Sequence, residues 1–298
     1  MKKDELEELA RQLEAHQDYR VVRRLRARPR YRPDPEDTAQ LRRGLFVDVE
    51  TTGLDAATDA IIQLALVPFT FTRDGSICEV GDGYEQYDDP GRPIPEKVTQ
   101  LTGIRDEDVA GQEIDWSAVA DYAAAADLVI AHNAGFDRRF VEARCEAFEQ
   151  RAWACSMREI PWSEEGLESP KQEYLAYRYG FFYDGHRAGA DCLAGIHLLT
   201  RSLPASGRPA LAALLDNARR TTYRLWALNS PFEAKDLLRA RGYRWNNGTD
   251  GRHKAWYAEV DEEDCASEQE YLETEIYKRD IKLPIDKITA FNRYSDRA

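Results

Sequence analysis

Short apolar runs in the central part of the chain restrict the fold more than any other feature of the sequence. These runs lie at residues 44–47, 61–67, 77–80, 127–131 and 153–155. Tight turns separate the first three runs, which favours antiparallel pairing. From residue 96 onward, segments with helical spacing alternate with the remaining runs. This order predicts an α/β fold in which a mixed sheet is flanked by helices.

Two flanking segments differ in composition from this central part. Residues 20–33 are densely cationic, which indicates either a phosphate-binding arm or a basic face that packs back on an acidic domain. A cluster of proline and small residues at 203–209 indicates a boundary. We therefore expect an N-terminal helix and basic arm at 1–43, an α/β domain at 44–204, and a small α+β module at 205–298.

Composition excludes several classes of protein. The net charge of −13 argues against coating nucleic acid non-specifically, because that mode depends on many phosphate contacts. No apolar run approaches the length of a membrane span and the N-terminus is polar, so we expect no membrane partner and a cytoplasmic location. The five cysteines form no C-x-x-C pair, and neither a zinc site nor a disulfide framework is expected.

Two carboxylates follow the first apolar run. Asp48 and Glu50 are two residues apart, so a strand places both on one face, roughly 7 Å apart. Shared coordination of a divalent cation would remove their repulsion and their desolvation cost. The alternative is that the strand ends here and that both acids are solvated.

Further polar residues lie beside later helices. Asp137 follows the run at 127–131 and falls in the first turn of a helix, where an acid is favoured by the helix dipole alone. His186 and Asp191 flank the start of another helix. A loop histidine can act as a general base, whereas the simpler interpretation is an ordinary histidine beside a helix-start aspartate.

Taken together, these segments resemble the DEDDh (DnaQ-like) family of 3′–5′ exonucleases, to which the proofreading epsilon subunit of bacterial DNA polymerase III belongs. The family's three motifs appear in order at residues 48–54, 131–137 and 186–191. Residues 94–95 and 101–104 resemble the segment that connects the first two motifs. The resemblance covers about residues 44–203 and implies a ribonuclease H-like mixed sheet of five strands.

The resemblance also implies a reaction and a set of roles. Two Mg²⁺ or Mn²⁺ ions would be held by the four acids Asp48, Glu50, Asp137 and Asp191, with Asp48 between them. His186 would be the base that activates the attacking water. The implied product is a nucleoside 5′-monophosphate. A histidine rather than a tyrosine in the third motif is typical of the histidine branch of the family.

The same resemblance implies where the substrate binds. Thr51, Thr52, Gly53 and Leu54 would seat the terminal nucleotide, with Leu54 against its base; the alternative is a plain turn at the end of the strand. Asn133 would either support the substrate or cap the helix that follows it.

Substrate and partners are less constrained. The 3′ end of single-stranded DNA is favoured, but nothing in the sequence separates deoxyribose from ribose, so an RNA or oligoribonucleotide exonuclease is an alternative. A non-catalytic binding or scaffold protein with this fold is another. A polymerase, a repair protein and a second copy of the chain all stay open as partners.

Basic and aromatic residues interleave over 224–257. This pattern indicates either a surface that binds single-stranded nucleic acid or a small aromatic core.

Overall fold

The computed structural model describes residues 3–297, which separate into two compact units that divide between Asn217 and Ala218. Each unit contains its own sheet. Among the described residues, every helix is too short or too polar to reach across a lipid bilayer.

The first unit contains eight helices and eight strands among its described residues. The helices are α1 (Lys3–Glu14), α2 (Glu96–Thr102), α3 (Asp106–Val109), α4 (Trp116–Ala125), α5 (Ala134–Glu142), α6 (Gln172–Arg178), α7 (Ala188–Leu199) and α8 (Ala210–Arg219). The strands are β1 (Arg23–Arg24), β2 (Arg42–Thr51), β3 (Ile61–Phe71), β4 (Ile77–Val80), β5 (Tyr84–Tyr87), β6 (Leu128–Ala131), β7 (Ala152–Cys155) and β8 (Phe181–Phe182). Short 3₁₀ turns lie at Thr38–Gln40 and Glu146–Phe148.

Strands β2 to β7 form one mixed sheet in the order β4–β3–β2–β6–β7, with β5 also paired to β3. Strand β3 is antiparallel to β2, β4 and β5, whereas β6 is parallel to β2 and β7. The predicted mixed sheet and the antiparallel pairing of its first three strands are confirmed. The prediction of five strands is one too few, because β4 and β5 occupy successive parts of the same edge of β3. Gly81 and Gly83 interrupt the apolar pattern there and hide β5 from periodicity.

Helix α7 packs closely on the central strand β2. Gly195 permits this approach, since a Cβ at this position would lie 2.1 Å from Cζ of the Phe46 ring. Phe46 is fully buried, so the ring has no space to move aside. The helical spacing of Cys192, Ile196, Leu199 and Leu203 predicts a stripe that faces inward, and the structure confirms it, since all four are at most 1% exposed.

Replacing Gly195 with alanine is expected to lower the free energy of unfolding by about 1–3 kcal/mol, because overpacking against Phe46 outweighs the gain in helix propensity of about 1 kcal/mol. Denaturant titration measures the change. Gly81→Ala, between β4 and β5, is the control, because the nearest atom to its Cβ would be Cγ of Pro68 at 3.2 Å, which requires only a small shift. An unchanged or raised stability for the Gly195 variant would contradict the packing described here.

The basic segment at residues 20–33 packs against the first unit. Strand β1 lies parallel to β8, with Arg23 opposite Phe181. Its ion pairs join Arg23 to Glu7 and Glu14, Arg24 to Asp184, and Arg30 to Glu79. Of the two interpretations of this segment, packing back on acidic groups of the same chain is therefore the one observed for these three arginines.

The first unit continues past the predicted boundary at residue 204. Helix α8 is fastened to it at both ends. Nδ2 of Asn217 donates to the carbonyl oxygen of Glu159 at 2.7 Å. The turn at Gly75 comes so close to the helix that a Cβ there would lie 2.4 Å from the backbone nitrogen of Ala212. The compact unit thus ends near the end of this helix, and the predicted boundary stays a prediction about function.

The second unit is a small α+β module built on an antiparallel sheet. Its strands are β9 (Thr222–Ala227), β10 (Arg244–Trp245), β11 (Trp256–Asp261) and β12 (Ile285–Ile288), in the order β10–β11–β9–β12. Its helical segments are α9 (Lys235–Ala240) and α10 (Cys265–Tyr271), with 3₁₀ turns at Phe232–Ala234 and Glu262–Asp264 and a π-helical segment at Leu272–Tyr277. Its core comprises Leu225, Ala227, Ala234, Leu238, Tyr243, Ala258, Leu272 and Ile276. The sequence at 243–258, with an Asn- and Gly-rich loop at 246–251, predicts a hairpin, which the pairing of β10 with β11 confirms; β12 is not indicated by the sequence pattern.

Candidate active site

Strand β2 carries the first two acids of the site. Asp48 pairs with Ala65 and Glu50 with Gln63 on β3, and the register shifts directly after Glu50. Both carboxylates lie on the same face of the strand, as the spacing predicts. One carboxylate oxygen each from Asp48, Glu50 and Asp191 lie within 4.8 Å of one another. Residues far apart in sequence therefore converge at one point beside the end of β2.

Asp137 approaches the same strand from helix α5. The parallel pairing of β2 with β6 ends at Phe46 and Ile130, so β2 runs on without a partner on that side. The free backbone N–H of Val49 donates to Oδ1 of Asp137 at 3.2 Å. The Asp137 side chain is only 3% exposed. The helix dipole alone does not account for Asp137, because its carboxylate is also held against the strand that carries Asp48 and Glu50.

Asp191 lies in the first turn of α7, where three groups hold it. Its Oδ2 accepts from the backbone N–H of Arg187 at 3.0 Å, and its Oδ1 accepts from the Tyr183 hydroxyl at 3.0 Å. Nε2 of Gln172 donates to its carbonyl oxygen at 2.8 Å. These contacts restrict both the backbone and the carboxylate of Asp191.

The start of α7 is also held by side chains from the sheet. The N–H of Ala188 donates to Oε1 of Gln63 at 3.2 Å, and the N–H of Gly189 donates to Oε1 of Glu85 at 3.3 Å. Nε2 of Gln63 donates to the same Glu85 oxygen at 2.8 Å. Two of the free N–H groups of the helix are therefore satisfied by β3 and β5. This arrangement sets the distance between Asp191 and the acids on β2.

His186 immediately precedes α7 in the left-handed region of the backbone, with φ of 58°. Histidine tolerates this conformation better than most residues. The side chain is half-buried, and it opposes the rise in the pKa of Asp191 that burial causes. The predicted base therefore lies close to the acidic cluster, in a loop whose geometry turns it out of the helix.

The four acids share a buried and strongly negative environment. Burial, followed by repulsion from Asp137 and Asp191, raises the pKa of Asp48 well above its usual range. Burial and the same neighbours raise the pKa of Glu50 to about 7, opposed by the nearby Arg187. Burial also raises the pKa of Asp137 to about 7, and it raises that of Asp191. Such a cluster is stabilised by added positive charge.

The free energy of unfolding of the metal-free chain is expected to fall as pH rises from about 5 to about 8. Unfolded carboxyls ionise near pH 4, whereas Glu50 and Asp137 keep their protons in the folded chain until about pH 7. The folded state therefore binds more protons across this window, and raising the pH removes that stabilisation at about 1.4 kcal/mol per unit of pKa difference.

Denaturant titrations in EDTA at a series of pH values measure this loss. Mn²⁺ added at about pH 8 should restore stability, because the folded cluster binds the ion and the unfolded chain does not. A stability that is flat over this pH range and indifferent to Mn²⁺ would contradict the electrostatics described above.

The first-motif turn after β2 contains the predicted nucleotide seat. Oγ1 of Thr51 donates to the carbonyl oxygen of Gly53 at 2.5 Å, and the Thr51 side chain is buried. Leu54 is 81% exposed, which is unusual for a leucine at a well-ordered turn. Of the predicted seat residues, Leu54 is thus the one that offers its whole side chain to a ligand.

Thr52 serves the turn itself. Its hydroxyl donates to Oδ1 of Asp59 at 3.2 Å and accepts from Ala60 N at 3.0 Å and from Nη2 of Arg92 at 2.9 Å. The side chain is 4% exposed. Thr52 therefore belongs to the turn at the end of the strand, as the alternative interpretation states. The same turn leaves Leu54 exposed, as a seat for a nucleotide would require.

Asn133 and His132 precede helix α5. Asn133 occupies the N-cap position, but its exposed side chain makes no capping hydrogen bond. It therefore does not cap the helix as the alternative interpretation required. His132 bonds through Nδ1 to Oγ of Ser156 at 2.9 Å and through Nε2 to the carbonyl oxygen of Pro170 at 2.8 Å. Burial lowers the pKa of His132 to about 4, so it is a neutral structural histidine.

Several residues around the site were not identified from the sequence. Arg187 is half-buried and partly opposes the rise in the pKa of Glu50. Its Nη1 donates to the Tyr87 hydroxyl at 3.3 Å. Gln63, Glu85 and Tyr183 support α7 and Asp191, as described above. The one sequence signal for Gln63 was a polar residue inside an apolar run, which requires a buried partner.

Aromatic residues between β7 and β8 were predicted to be mainly core residues, with base stacking as the alternative. Trp162 is 3% exposed and donates to the carbonyl oxygen of Ser156 at 2.8 Å. The Tyr179 hydroxyl donates to Ser202 O at 3.1 Å. Tyr177 is 49% exposed, but the guanidinium of Arg20 lies 4.4 Å from its ring centroid. These residues have partners within the first unit, which agrees with a packing role.

The donor set fits a hard divalent cation. Carboxylate oxygens are the ligands that Mg²⁺ and Mn²⁺ prefer, and no thiol or imidazole belongs to the group of three converging acids. The raised pKa values show that the cluster lacks sufficient positive charge of its own. A carboxylate-rich cation site next to a histidine, on a mixed α/β sheet, defines the class of metal-dependent hydrolases.

Comparison with known families identifies the group within that class. The exonuclease family model RNase_T matches residues 45–199, more than half of the chain. The chain belongs to this exonuclease family and carries a DnaQ-like 3′–5′ exonuclease domain. Members of the family use divalent metal ions, in agreement with the acidic cluster.

Sequence relatives lie among much longer proteins. The DNA polymerase III PolC-type of Listeria monocytogenes is 39% identical over 108 residues, which cover 33% of this chain and 7% of that protein. The PolC-type polymerase of Bacillus subtilis is 36% identical over 96 residues, which cover 32% of this chain and 6% of that protein. The chain thus matches only a small part of these relatives.

Solved structures show the same fold at low identity. E. coli exonuclease I in complex with a dA16 oligonucleotide aligns with a TM-score of 0.51 at 15% identity, covering 74% of this chain and 63% of that one. A zinc-bound E. coli exonuclease I–ssDNA complex aligns with a TM-score of 0.52 at 14% identity, covering 86% and 67%. The ribonuclease H-like α/β fold implied by the resemblance is confirmed.

Proposed function

We propose that this protein removes nucleotides one at a time from the 3′ end of single-stranded DNA, using two Mg²⁺ or Mn²⁺ ions. The observation that carries the proposal is the convergence of Asp48, Glu50 and Asp191 within 4.8 Å, next to Asp137 and His186. We assign the reaction to residues 44–204 and infer that residues 1–43 and 205–298 have accessory roles.

The four acids would hold the metal ions. Asp48 would be central, because helix α5 with Asp137 and helix α7 with Asp191 both approach the strand that carries it. Bound divalent cations would offset the charge of the phosphodiester in the transition state and favour ionisation of the attacking water. Other residues of the chain fix the positions of these acids. Gln172 and Tyr183 orient Asp191, and Val49 orients Asp137.

His186 would accept the proton of the attacking water on an imidazole nitrogen. Its left-handed backbone and its position next to α7 keep the ring near the cluster without making it part of the helix. Attack in line with the leaving 3′ oxygen breaks the terminal phosphodiester and releases a nucleoside 5′-monophosphate. The exposed Leu54 would lie against the terminal base, and Asn133 has a free amide for the substrate.

DNA is favoured over RNA by two supporting facts. The sequence relatives described above are DNA polymerases, and the two E. coli exonuclease I structures described above are complexes with a dA16 oligonucleotide and with ssDNA. We also propose that the protein is cytoplasmic. The five cysteines of the chain are free thiols, and DNA would be the substrate.

The test uses single-stranded DNA and RNA of the same sequence, labelled at the 5′ or the 3′ end, with Mg²⁺, Mn²⁺ or EDTA. We expect 5′-labelled DNA to shorten stepwise with either metal, with release of mononucleotides, and to stay intact in EDTA. Faster shortening of RNA would replace DNA by RNA as the substrate. No shortening of either polymer from either end would overturn the exonuclease proposal for this chain.

A further inference from the structure

Strand β10 forms the outer edge of the sheet in the second unit, and it carries an exposed tryptophan. Trp245 is 51% exposed and pairs across the strands with Trp256 of β11. The two rings meet edge to face, with centroids 5.7 Å apart and planes at 64°. A half-exposed indole held by a second indole is preordered, so little side-chain entropy is lost when a ligand stacks on it.

Trp256 supplies the support for this exposed ring. It packs against the core of the second unit, and it lies directly across from Ala227 of β9. The guanidinium of Arg239, from helix α9, lies 5.8 Å from its ring centroid. Trp245, Trp256 and Arg239 together are called the Trp245 surface below. It combines one open aromatic ring, one half-buried aromatic ring and one cation.

The charge around this surface differs from that of the whole chain. Residues 218–298 contain as many Lys and Arg as Asp and Glu, so the net charge of −13 resides entirely in residues 1–217. The acids near the surface are already engaged. Asp236 lies 3.6 Å from Arg239, and Asp250 accepts from Nδ2 of Asn246 in the adjoining loop. Arg239 is the cation on the side of Trp256, whereas Arg244 lies over the ring of Tyr257 on the opposite face of the sheet.

We propose that the Trp245 surface is a second binding surface for single-stranded DNA, separate from the acidic cluster and resting on the proposed exonuclease function. A base of any identity can stack on the open face of Trp245, because every base presents a π-face. Arg239 offers positive charge to a phosphate, and the second unit that carries it has no net charge, whereas residues 1–217 are strongly acidic. The surface would thus hold a strand without selecting its sequence.

The test measures affinity and turnover on the full chain. Affinity for a fluorescent oligothymidylate is measured by anisotropy in EDTA, where no hydrolysis occurs. Trp245→Ala is expected to weaken binding by roughly 5- to 100-fold, the range for loss of one stacked base. In Mg²⁺ the same variant should raise KM by a similar factor and leave kcat within about twofold. Trp245→Phe, which keeps an aromatic face, should recover most of the affinity.

Phe291→Ala is the matched control, because Phe291 is a 57% exposed aromatic of the same unit outside this surface. We expect it to bind like the parent. Thermal unfolding of each variant separates a binding effect from a folding defect, and Arg239→Gln should lower the salt dependence of binding by about one phosphate contact. Affinity of Trp245→Ala within twofold of the parent, or an equal loss in Phe291→Ala, would overturn the proposal. A chain that releases no nucleotide but loses affinity with Trp245→Ala would instead contradict the exonuclease function and leave the surface in place.

Discussion

Replacing Asp48 with asparagine is expected to reduce nucleotide release by about three orders of magnitude or more, because the catalytic metal ions would lose a central carboxylate ligand. Asparagine has the same shape, so the loss reports charge and coordination rather than packing. Asp48 lies at the centre of the cluster, where Asp137, Asp191 and Glu50 all raise its pKa. Initial rates with saturating Mg²⁺ or Mn²⁺ measure the effect.

A stability measurement separates this effect from unfolding. Because the substitution removes a buried negative charge, the metal-free variant should be more stable than the parent at about pH 8, and the fall of its stability with pH should be shallower. Mn²⁺ should then stabilise it less. Asp121→Asn, at an exposed position of α4, is the control and should change neither rate nor stability. More than a tenth of the parent rate in the Asp48 variant would rule out a central role for this carboxylate.

The second large effect is expected for His186→Ala. General base catalysis contributes about 10² to 10⁴ in rate, and the loss should fall on kcat rather than on KM. The metal-induced increase in thermal stability should persist, because His186 is not one of the three converging acids. The plot of rate against pH should also change shape, because the variant lacks the proposed general base.

His16→Ala is the matched control, since His16 is exposed on the N-terminal segment and should not affect the rate. A His186 variant with an unchanged pH profile would show that another group accepts the proton. A variant that also loses its response to Mn²⁺ would instead indicate that His186 mainly organises the cluster.

The bounds of the helices near the site could be predicted closely where the local sequence pattern and the residues that begin or end a helix indicate the same position. Helical spacing predicts helices over 96–102 and from residue 188, and α2 and α7 are found there. The same spacing predicts a helix from about residue 135 to 150, whereas α5 ends at Glu142. The chain turns there to bury Phe148 against Trp153, with ring centroids 5.8 Å apart. A tertiary contact therefore overrides a helical pattern that continues in the sequence.

The sequence by itself predicted which residues would form the acidic cluster. The two-residue period of a strand places Asp48 and Glu50 on one face, and the resemblance of three ordered motifs to the exonuclease family points to Asp137, His186 and Asp191. These features are local, since each depends on a few neighbouring residues and on the geometry of one element.

Only the tertiary structure decided how that cluster is held. Gln63 accepts a hydrogen bond from a backbone N–H 125 residues away, and Val49 donates to Asp137 because β2 runs past the end of its parallel neighbour. Likewise, the arginines of the basic segment are paired with acids that lie as far as 160 residues along the chain. Such contacts depend on the register between distant elements. Periodicity within one element carries no information about that register, because it is set when the sheet and α7 pack together.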